Sequence, residues 1–443
     1  MRVIHNFFKD KNLLYLLIIG LGIRLLLFLI VYPSESAFPD SGSYFRLAKK
    51  LSTLSLEGYD GKRSPGYPLL ILFAAGKVKI AVIYQFIMGT IASLFWYKTL
   101  INLKFSRRHS FYVVLFLQSF LNVFFYETSI LLESLTLFCT SFIVYFITSP
   151  SYRNSNTIKT ELILGAVLGY LVLIKPFFAY WPFLIYGLYT LKDFNLNRII
   201  NKKLILLIFP LLVYFGWSYV NKLNTGYFVS TTFLGLNMSQ NCVYFAEKAP
   251  EEYQWIGQPY AQYRNKTIAE NRDVAMSIWN AYGEGRVFDK YNLSFEELSH
   301  ELGEFAKATV AANPKDYLKQ VFFRSGLDFW KPALDWNEDN FRFHSAFQVF
   351  DNIWRVQKII LYAIVIAFIG ISIMVFYRSI VNRQVDITFI LVSFVMVPAL
   401  LQAMVTYGTN DRYSYPFDFM MFFVVLLFVR QNNIIHKVKS FFR

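Results

Sequence analysis

Charge is what this sequence lacks most. Only 16% of its 443 residues are Asp, Glu, Lys or Arg, against roughly 25% in an ordinary soluble domain. Apolar residues make up 55% and the mean hydropathy is +0.38. So little polar surface cannot coat a water-soluble particle of this size. Cysteine is nearly absent as well. Cys139 and Cys242 are the two, too few for a disulfide scaffold or a Cys-based zinc module. One lies in an apolar run and the other in a polar region, so they are not expected to pair. With 21 Gly and 14 Pro against 47 Phe and 30 Tyr, collagen-like, fibrous and disordered chains are excluded too. The sequence carries no internal repeat, low-complexity tract, Rossmann fingerprint or P-loop. His300 and His344 have no partners at metal-ligand spacing.

What remains is an all-α polytopic membrane protein. Apolar runs long enough to cross ~30 Å of hydrocarbon fall near 13–32, 80–101, 110–126, 131–148, 161–175, 177–191, 203–220, 357–377, 386–406 and 415–430. About ten transmembrane helices are expected. They divide the chain into an N-terminal membrane module (1–220) with a first outer loop at 33–67, an extracytoplasmic, mostly helical domain (221–355), and C-terminal membrane helices (356–443).

The net charge of +15 is unevenly spread. Residues 221–355 hold 14 basic and 17 acidic side chains, which leaves 30 basic and 12 acidic elsewhere. With the N-terminus (Arg2, Lys9, Lys11) in the cytoplasm, the short basic loops fall on the cytoplasmic side. These carry Lys104, Arg107 and Arg108; Arg153 and Lys159; Lys192, Arg198, Lys202 and Lys203; Arg378 and Arg383. The tail, with Arg430, Lys437, Lys439 and Arg443, joins them. No contiguous basic face suited to nucleic acid is evident. No small-residue cleavage site follows Val31-Tyr32-Pro33, so the first apolar run is read as a retained span.

The acids outside 221–355 gather on the opposite face: Glu35, Asp40, Glu57, Asp60, Glu127, Glu133, Asp411 and Asp418, against Asp10, Glu161, Asp193 and Asp386 on the inner one. Glu133 sits just inside an apolar run, where a carboxylate is costly unless paired or functional. In the first outer loop Asp40 precedes a helix-like stretch to Glu57. There Tyr44, Leu47, Ala48, Leu51 and Leu54 share one side, and Arg46, Lys49 and Lys50 the other. That is the pattern of a helix lying on the membrane surface, with Asp40 as its N-cap or as a reactive carboxylate. The loop ends in Lys62-Arg63-Ser64-Pro65-Gly66-Tyr67-Pro68. Arg63, Lys175 (before Pro176) and Arg412 are basic groups on the disfavoured side, and together they would suit a phosphate. Trp255, Trp279, Trp330, Trp336 and Trp354 are candidates for sugar stacking or, more simply, packing. Segments 265–282 and 295–312 read as helices. Three Asn-x-Ser/Thr sequons, at Asn237, Asn265 and Asn292, are taken as chance.

In their order along the chain these motifs resemble the GT-C superfamily of glycosyltransferases. They are most similar to bacterial relatives of the dolichyl-phosphate-mannose protein mannosyltransferases and lipid A aminoarabinose transferases. The resemblance rests on Pro39-Asp40-Ser41-Gly42-Ser43-Tyr44, Arg63-Ser64-Pro65-Gly66-Tyr67-Pro68, Glu133, Ile174-Lys175-Pro176 and Gly226-Tyr227-Phe228-Val229-Ser230-Thr231-Thr232. It also rests on Asn313-Pro314-Lys315-Asp316-Tyr317-Leu318 before Phe329-Trp330, and on Asp411-Arg412-Tyr413. It implies an enzyme of the inner (cytoplasmic) membrane with its active site on the extracytoplasmic face. Such an enzyme takes a polyprenyl-phosphate-linked sugar as donor and passes the sugar to a glycan, lipid or protein acceptor. Asp40 would be the base of an inverting displacement, with Glu133 as a second catalytic carboxylate. Arg63, Lys175, Arg412, Tyr67 and Tyr413 would hold the lipid phosphate. The arginines and lysine could neutralise that phosphate without a cofactor, although a divalent metal is an alternative. Many relatives carry Arg at the position of Lys175, and the first loop has no Asp-x-Asp pair. A transporter or flippase of lipid-linked sugars, or an O-antigen polymerase or ligase, is the rival expectation.

Overall fold

The computed structural model describes residues 10–154, 157–192, 200–334, 336–408 and 410–432. Arg2, Lys9, Asp193, Arg198, Lys437, Lys439 and Arg443 of the charge pattern lie outside them. Among the described residues every regular element is helical, apart from one isolated parallel bridge between Ser36 and Ser129.

Six helices among the described residues are long and apolar enough to cross a bilayer: Lys11–Val31, Val78–Asn102, Lys202–Thr225, His344–Asn382, Ile387–Val405 and Asn410–Gln431. A bent pair, Arg107–Gln118 and Leu121–Thr128, turns by 56° and raises the number to seven if it is one span. The chain is a multi-pass membrane protein. Three further apolar helices are shorter, at 16, 17 and 12 residues: Glu133–Thr148, Ile158–Ile174 and Trp181–Lys192. The last two are separate because Lys175 precedes a proline. The pre-proline residue is pushed to extended backbone, and Lys175 sits at φ −144°, ψ 107°.

Helices are labelled in chain order. In the membrane module α1 is Lys11–Leu26, α2 Ser41–Ser52, α3 Gly66–Phe73, α4 Val78–Asn102, α5 Arg107–Gln118 and α6 Leu121–Thr128. Glu133–Thr148 is α7, Ile158–Ile174 is α8, Trp181–Lys192 is α9 and Ile208–Thr225 is α10. Helices α1 and α7 pack on α4, and α10 packs on α8. The buried stripe of α1 is Leu13, Leu16, Gly20 and Arg24. Arg24 is a cation inside a 21-residue apolar span, where charge is tolerated only with a partner. The partner is Glu127 on α6: Nε to Oε2 is 2.5 Å and Nη2 to Oε1 is 2.8 Å, a two-pronged pair. A methyl group at Gly89 of α4 would meet Glu127 Oε1 at 1.8 Å, so a residue without a side chain makes the room.

The loop helix α2 corrects one expectation. It ends at Ser52, because Leu54 turns into the left-handed region at φ 52°, and Leu54 is fully exposed. Tyr44, Leu47 and Ala48 are buried, and α2 packs along α3. Its apolar side is covered by protein and not left for the membrane surface.

The core of the polar region is built from Leu236, Phe245, Ile256, Tyr260, Ile278, Leu298, Leu302 and Phe305. Here α11 is Leu234–Gln240, α12 Gln254–Ala269, α13 Ser277–Gly283 and α14 Phe295–Ala312. The helix expected over 265–282 is two, broken where Asn271 adopts φ 52°. Helix α14 starts on a capping box of Ser294 and Glu297. Phe329, Phe341 and Trp354 belong instead to the membrane module's core. The C-terminal helices are α15 Pro314–Gln320, α16 His344–Asn382, α17 Ile387–Val405 and α18 Asp418–Gln431. With 39 residues, α16 is about 58 Å long, so it extends well beyond the hydrocarbon.

Replacing Arg24 with Met leaves Glu127 buried without its counter-charge and is expected to cost about 3–5 kcal/mol. The double variant Arg24→Met/Glu127→Leu should recover most of that loss. Thermal unfolding of the three proteins in detergent checks the coupling; simple additivity would count against it.

Candidate active site

Asp40 occupies the residue before α2, yet its carboxylate makes no capping bond to the helix. It is free to face elsewhere because the chain ahead of it is held by other groups. Ser36 N–H donates to Thr128 O at 3.1 Å, and Ile130 N–H donates to Ser36 O at 2.9 Å. The hydroxyl of Ser41 donates to Ile130 O at 2.9 Å. The first loop is thereby tied to the segment between α6 and α7. That segment is tied in turn to α4 by Gln85, whose amide donates to Glu127 O and Ser129 O at 2.7 and 3.1 Å. One set of backbone contacts therefore delivers both Asp40 and Glu133, the first residue of α7.

The cations arrive from three other places. The 60–62 segment, just before Arg63, is pinned from the polar region. Thr232 N–H donates to Gly61 O at 3.0 Å, and the hydroxyls of Thr232 and Thr231 donate to Asp60 O and Lys62 O, each at 2.9 Å. Arg63 is sandwiched between the rings of Tyr44 and Phe233, 4.8 and 4.7 Å from their centroids. Gly66 lets α3 meet the end of α8, since a methyl group there would lie 2.4 Å from Ile174 N. Lys175 follows directly on α8. Its ammonium lies 3.0 Å from the centroid of Tyr413 and 5.4 Å from that of Phe177. Arg412 is set by a short turn whose first residue, Asn410, donates through its side chain to Ser325 O and Thr406 O at 3.1 and 3.0 Å.

These groups meet. Arg63 Nη2 lies 2.5 Å from Asp40 Oδ1, and Arg412 Nη2 lies 3.1 Å from Asp40 Oδ2. Arg412 Nε lies 2.9 Å from Glu133 Oε1. Arg412 thus bridges two carboxylates, one of them from a residue 372 positions away. Glu133 is 1% exposed and neither of its oxygens has a hydrogen-bond partner, so the arginine is what compensates its burial. Asp40 is 28% exposed. Burial raises its pKa, but Arg63 and Arg412 together outweigh that and hold the carboxyl below its ordinary value.

A cavity of about 280 Å³ opens beside the cluster. Arg63, Lys175, Arg412, Tyr44, Tyr413 and Phe177 line it, with the 230–237 segment and Gln402, Val405 and Thr406 at the end of α17. Four basic side chains, Lys62 with the three above, and several aromatic faces thus border one space between the ends of the membrane helices and the polar region. Tyr67 stands apart. It is fully buried behind Tyr44, at 5.0 Å between ring centroids, and its hydroxyl donates to Gln85 at 3.0 Å. It braces α3 against α4 and does not line the cavity. Nor do the five tryptophans named above; Trp255 packs on Tyr291, Trp279 on Phe233 and Trp336 on Phe125. Among the described residues no three His, Cys, Asp or Glu side chains gather as metal ligands.

No protein-family model, curated protein or solved structure matches this chain. The site is therefore read from its own geometry. Two contributors escaped the reading of the sequence. Arg24 was legible as a lone charge in an apolar run. Gln85, an amide in the middle of α4, gave the same kind of signal.

The depressed pKa of Asp40 has a definite sign in a pH series. Its ion pairs stabilise the fold above the unfolded carboxyl value of about 3.9, and that contribution is lost as pH falls through the lower folded value. The gap in thermal midpoint between the parent protein and Asp40→Asn is expected to be constant from pH 5 to 8 and to close on further acidification. A gap that opened only above neutrality would contradict the assignment.

Proposed function

We propose that this chain is an integral-membrane glycosyltransferase of the GT-C type. It moves a sugar from a polyprenyl-phosphate donor to an acceptor hydroxyl on the extracytoplasmic face of the cytoplasmic membrane. The observation that carries the reading is the pairing of Asp40 with Arg63 and Arg412, two arginines that line one cavity together with Lys175 at the ends of apolar helices. In this reading the short helices α7, α8 and α9 and the bent pair α5–α6 also cross the membrane, giving about ten spans. The basic loops lie in the cytoplasm.

The arrangement suits displacement at an anomeric carbon. The acceptor oxygen forms a bond to that carbon while the bond from carbon to the phosphate oxygen breaks. Negative charge grows on the departing lipid phosphate, and fixed cations at that point lower the barrier. Lys175 lines the same cavity and, among the described residues, has no carboxylate within ion-pair distance; burial pulls its pKa well below the ordinary value, so an incoming phosphate would stabilise its charged form. The acceptor's proton passes to Asp40. In the donor-free state Asp40 is a weak base, because two guanidinium groups hold it ionised. The donor's phosphodiester, a monoanion that gains its second charge as the sugar leaves, competes for the same two arginines, and loosening their grip raises the basicity of Asp40 when donor is present. Neither Asp40 nor Glu133 is among the residues that line the cavity; both stand behind its arginines. Asp40 is 28% exposed and can be reached by an acceptor, whereas Glu133 is 1% exposed, so its part is to position Arg412. Tyr413 backs Lys175, and Tyr67 supports the loop from behind.

Two variants test this. Asp40→Asn is expected to remove sugar transfer by several orders of magnitude while the protein still assembles in membranes. Arg412→Ala is expected to weaken donor binding at least tenfold. The assay supplies purified protein with a polyprenyl-phosphate sugar and candidate acceptors and measures released polyprenyl phosphate. Parent-level release by Asp40→Asn would end the catalytic assignment. Translocation of the intact donor across proteoliposomes without release would establish the transporter instead.

A further inference from the structure

The motif Asn313-Pro314-Lys315-Asp316-Tyr317-Leu318 has no part in the cavity. It begins a helical segment that runs from α15 through a π turn, Val321–Ser325, to Gly326–Phe329. Asn313 ties its start to the polar region, donating to Lys248 O and Thr309 O at 3.0 and 2.9 Å. One side of the segment is buried: Gln320, Val321, Ser325 and Phe329. The opposite side carries Leu318, Phe322, Phe323 and Leu327, exposed by 51, 55, 69 and 57%. The extra residue of the π turn helps to set Phe322 and Phe323 side by side. Four large apolar side chains on successive turns are out of place on a surface facing water.

The contacts of the segment say what covers them. Tyr317 hydroxyl donates to Met404 O at 2.8 Å, and Gly326 lies against Ala403. The segment therefore sits at the end of the membrane span α17, whose Leu400 and Met404 are themselves 46 and 42% exposed. The apolar side chains continue the exposed apolar surface of that span. Lys315 and Lys319 lie on the exposed side, towards the N-terminal end. There their ammonium groups can reach lipid phosphates while their stems cover apolar surface.

We infer that residues 314–329 form an in-plane helix seated in the lipid leaflet on the side of the polar region, with Phe322, Phe323 and Leu327 among the acyl chains and Lys315 and Lys319 at the headgroups. The seat bears on the site. On the buried side, Asp328 accepts from Asn410 N–H at 3.3 Å and Ser325 O accepts from the Asn410 side chain. Asn410 opens the turn that carries Arg412, so the depth of this helix in the leaflet fixes the depth of that guanidinium. The inference rests on the chain being a membrane protein and not on glycosyl transfer.

Cys139 and Cys242 are buried and unpaired, so a nitroxide can be placed on single introduced cysteines. The test compares Phe323→Cys with Lys307→Cys, a position on α14 with an exposed side chain, in the full chain in nanodiscs of phosphatidylethanolamine and phosphatidylglycerol. Collision with oxygen is expected to dominate over collision with a water-soluble nickel chelate at 323, and the reverse at 307. Nickel accessibility at 323 equal to that at 307 would overturn the inference. Shielding of 323 from both reagents would overturn it as well, since another protein surface would then cover the helix.

Discussion

Everything at the candidate site depends on Arg412. Its guanidinium reaches two carboxylates from distant parts of the chain, and one of them, Glu133, is buried and among the described residues has no hydrogen-bond partner and no other ion pair. A buried carboxylate without a counter-charge carries a desolvation penalty of several kcal/mol. The pairing is therefore a condition on the fold as well as a feature of the site. It joins the first loop, the start of α7 and the turn before α18 into one unit. Arg63 adds the polar region, because the segment in front of it is fastened to Thr231 and Thr232.

Behind this layer lies a second charged pair, Arg24 with Glu127. The two are connected through the short segment from Glu127 to Glu133. At one end Glu127 is gripped by the first span and by Gln85; at the other, Glu133 faces Arg412. Ser36 and Ser41 attach the Asp40 loop to the middle. The arrangement explains why the carboxylate of Asp40 can stand on an irregular loop and still be rigidly placed. Its surroundings are helices and satisfied backbone groups. It also assigns Tyr67 a mechanical part, since its hydroxyl completes the hydrogen bonding of Gln85.

The proposed chemistry uses the same ion pairs that hold the site together. Carboxylates occupy the arginines when no phosphate is present, and a phosphate offers the arginines a stronger partner. Lys175, resting on Tyr413 and Phe177, needs no such exchange. A site built this way couples donor binding to the basicity of Asp40 without a moving domain. The surface helix 314–329 extends the logic outward, because the Arg412 turn is fastened to its buried side.

Much of this was legible in residue order alone. Scarce charge and long apolar runs determine a helical membrane protein, because lipid tolerates only backbone that satisfies itself. The same thermodynamics makes each stray charge conspicuous, which is how Asp40, Glu133, Arg63, Lys175 and Arg412 stood out. Helix α14 was visible from its periodicity. Span number was harder, since 12 to 17 apolar residues fit either a short crossing or a buried helix. Partnership was beyond reach. That Tyr67 turns to Gln85, that α2 packs on α3, and that one arginine joins two carboxylates, the farther of them 372 positions away from it, depends on how helices cross. Helix crossing is decided by close contacts such as those at Gly66 and Gly89. Sequence sets which groups cannot be left alone in an apolar medium; only tertiary packing decides which of them meet, because the energy of a buried charge depends on distances of a few ångströms that no local pattern encodes.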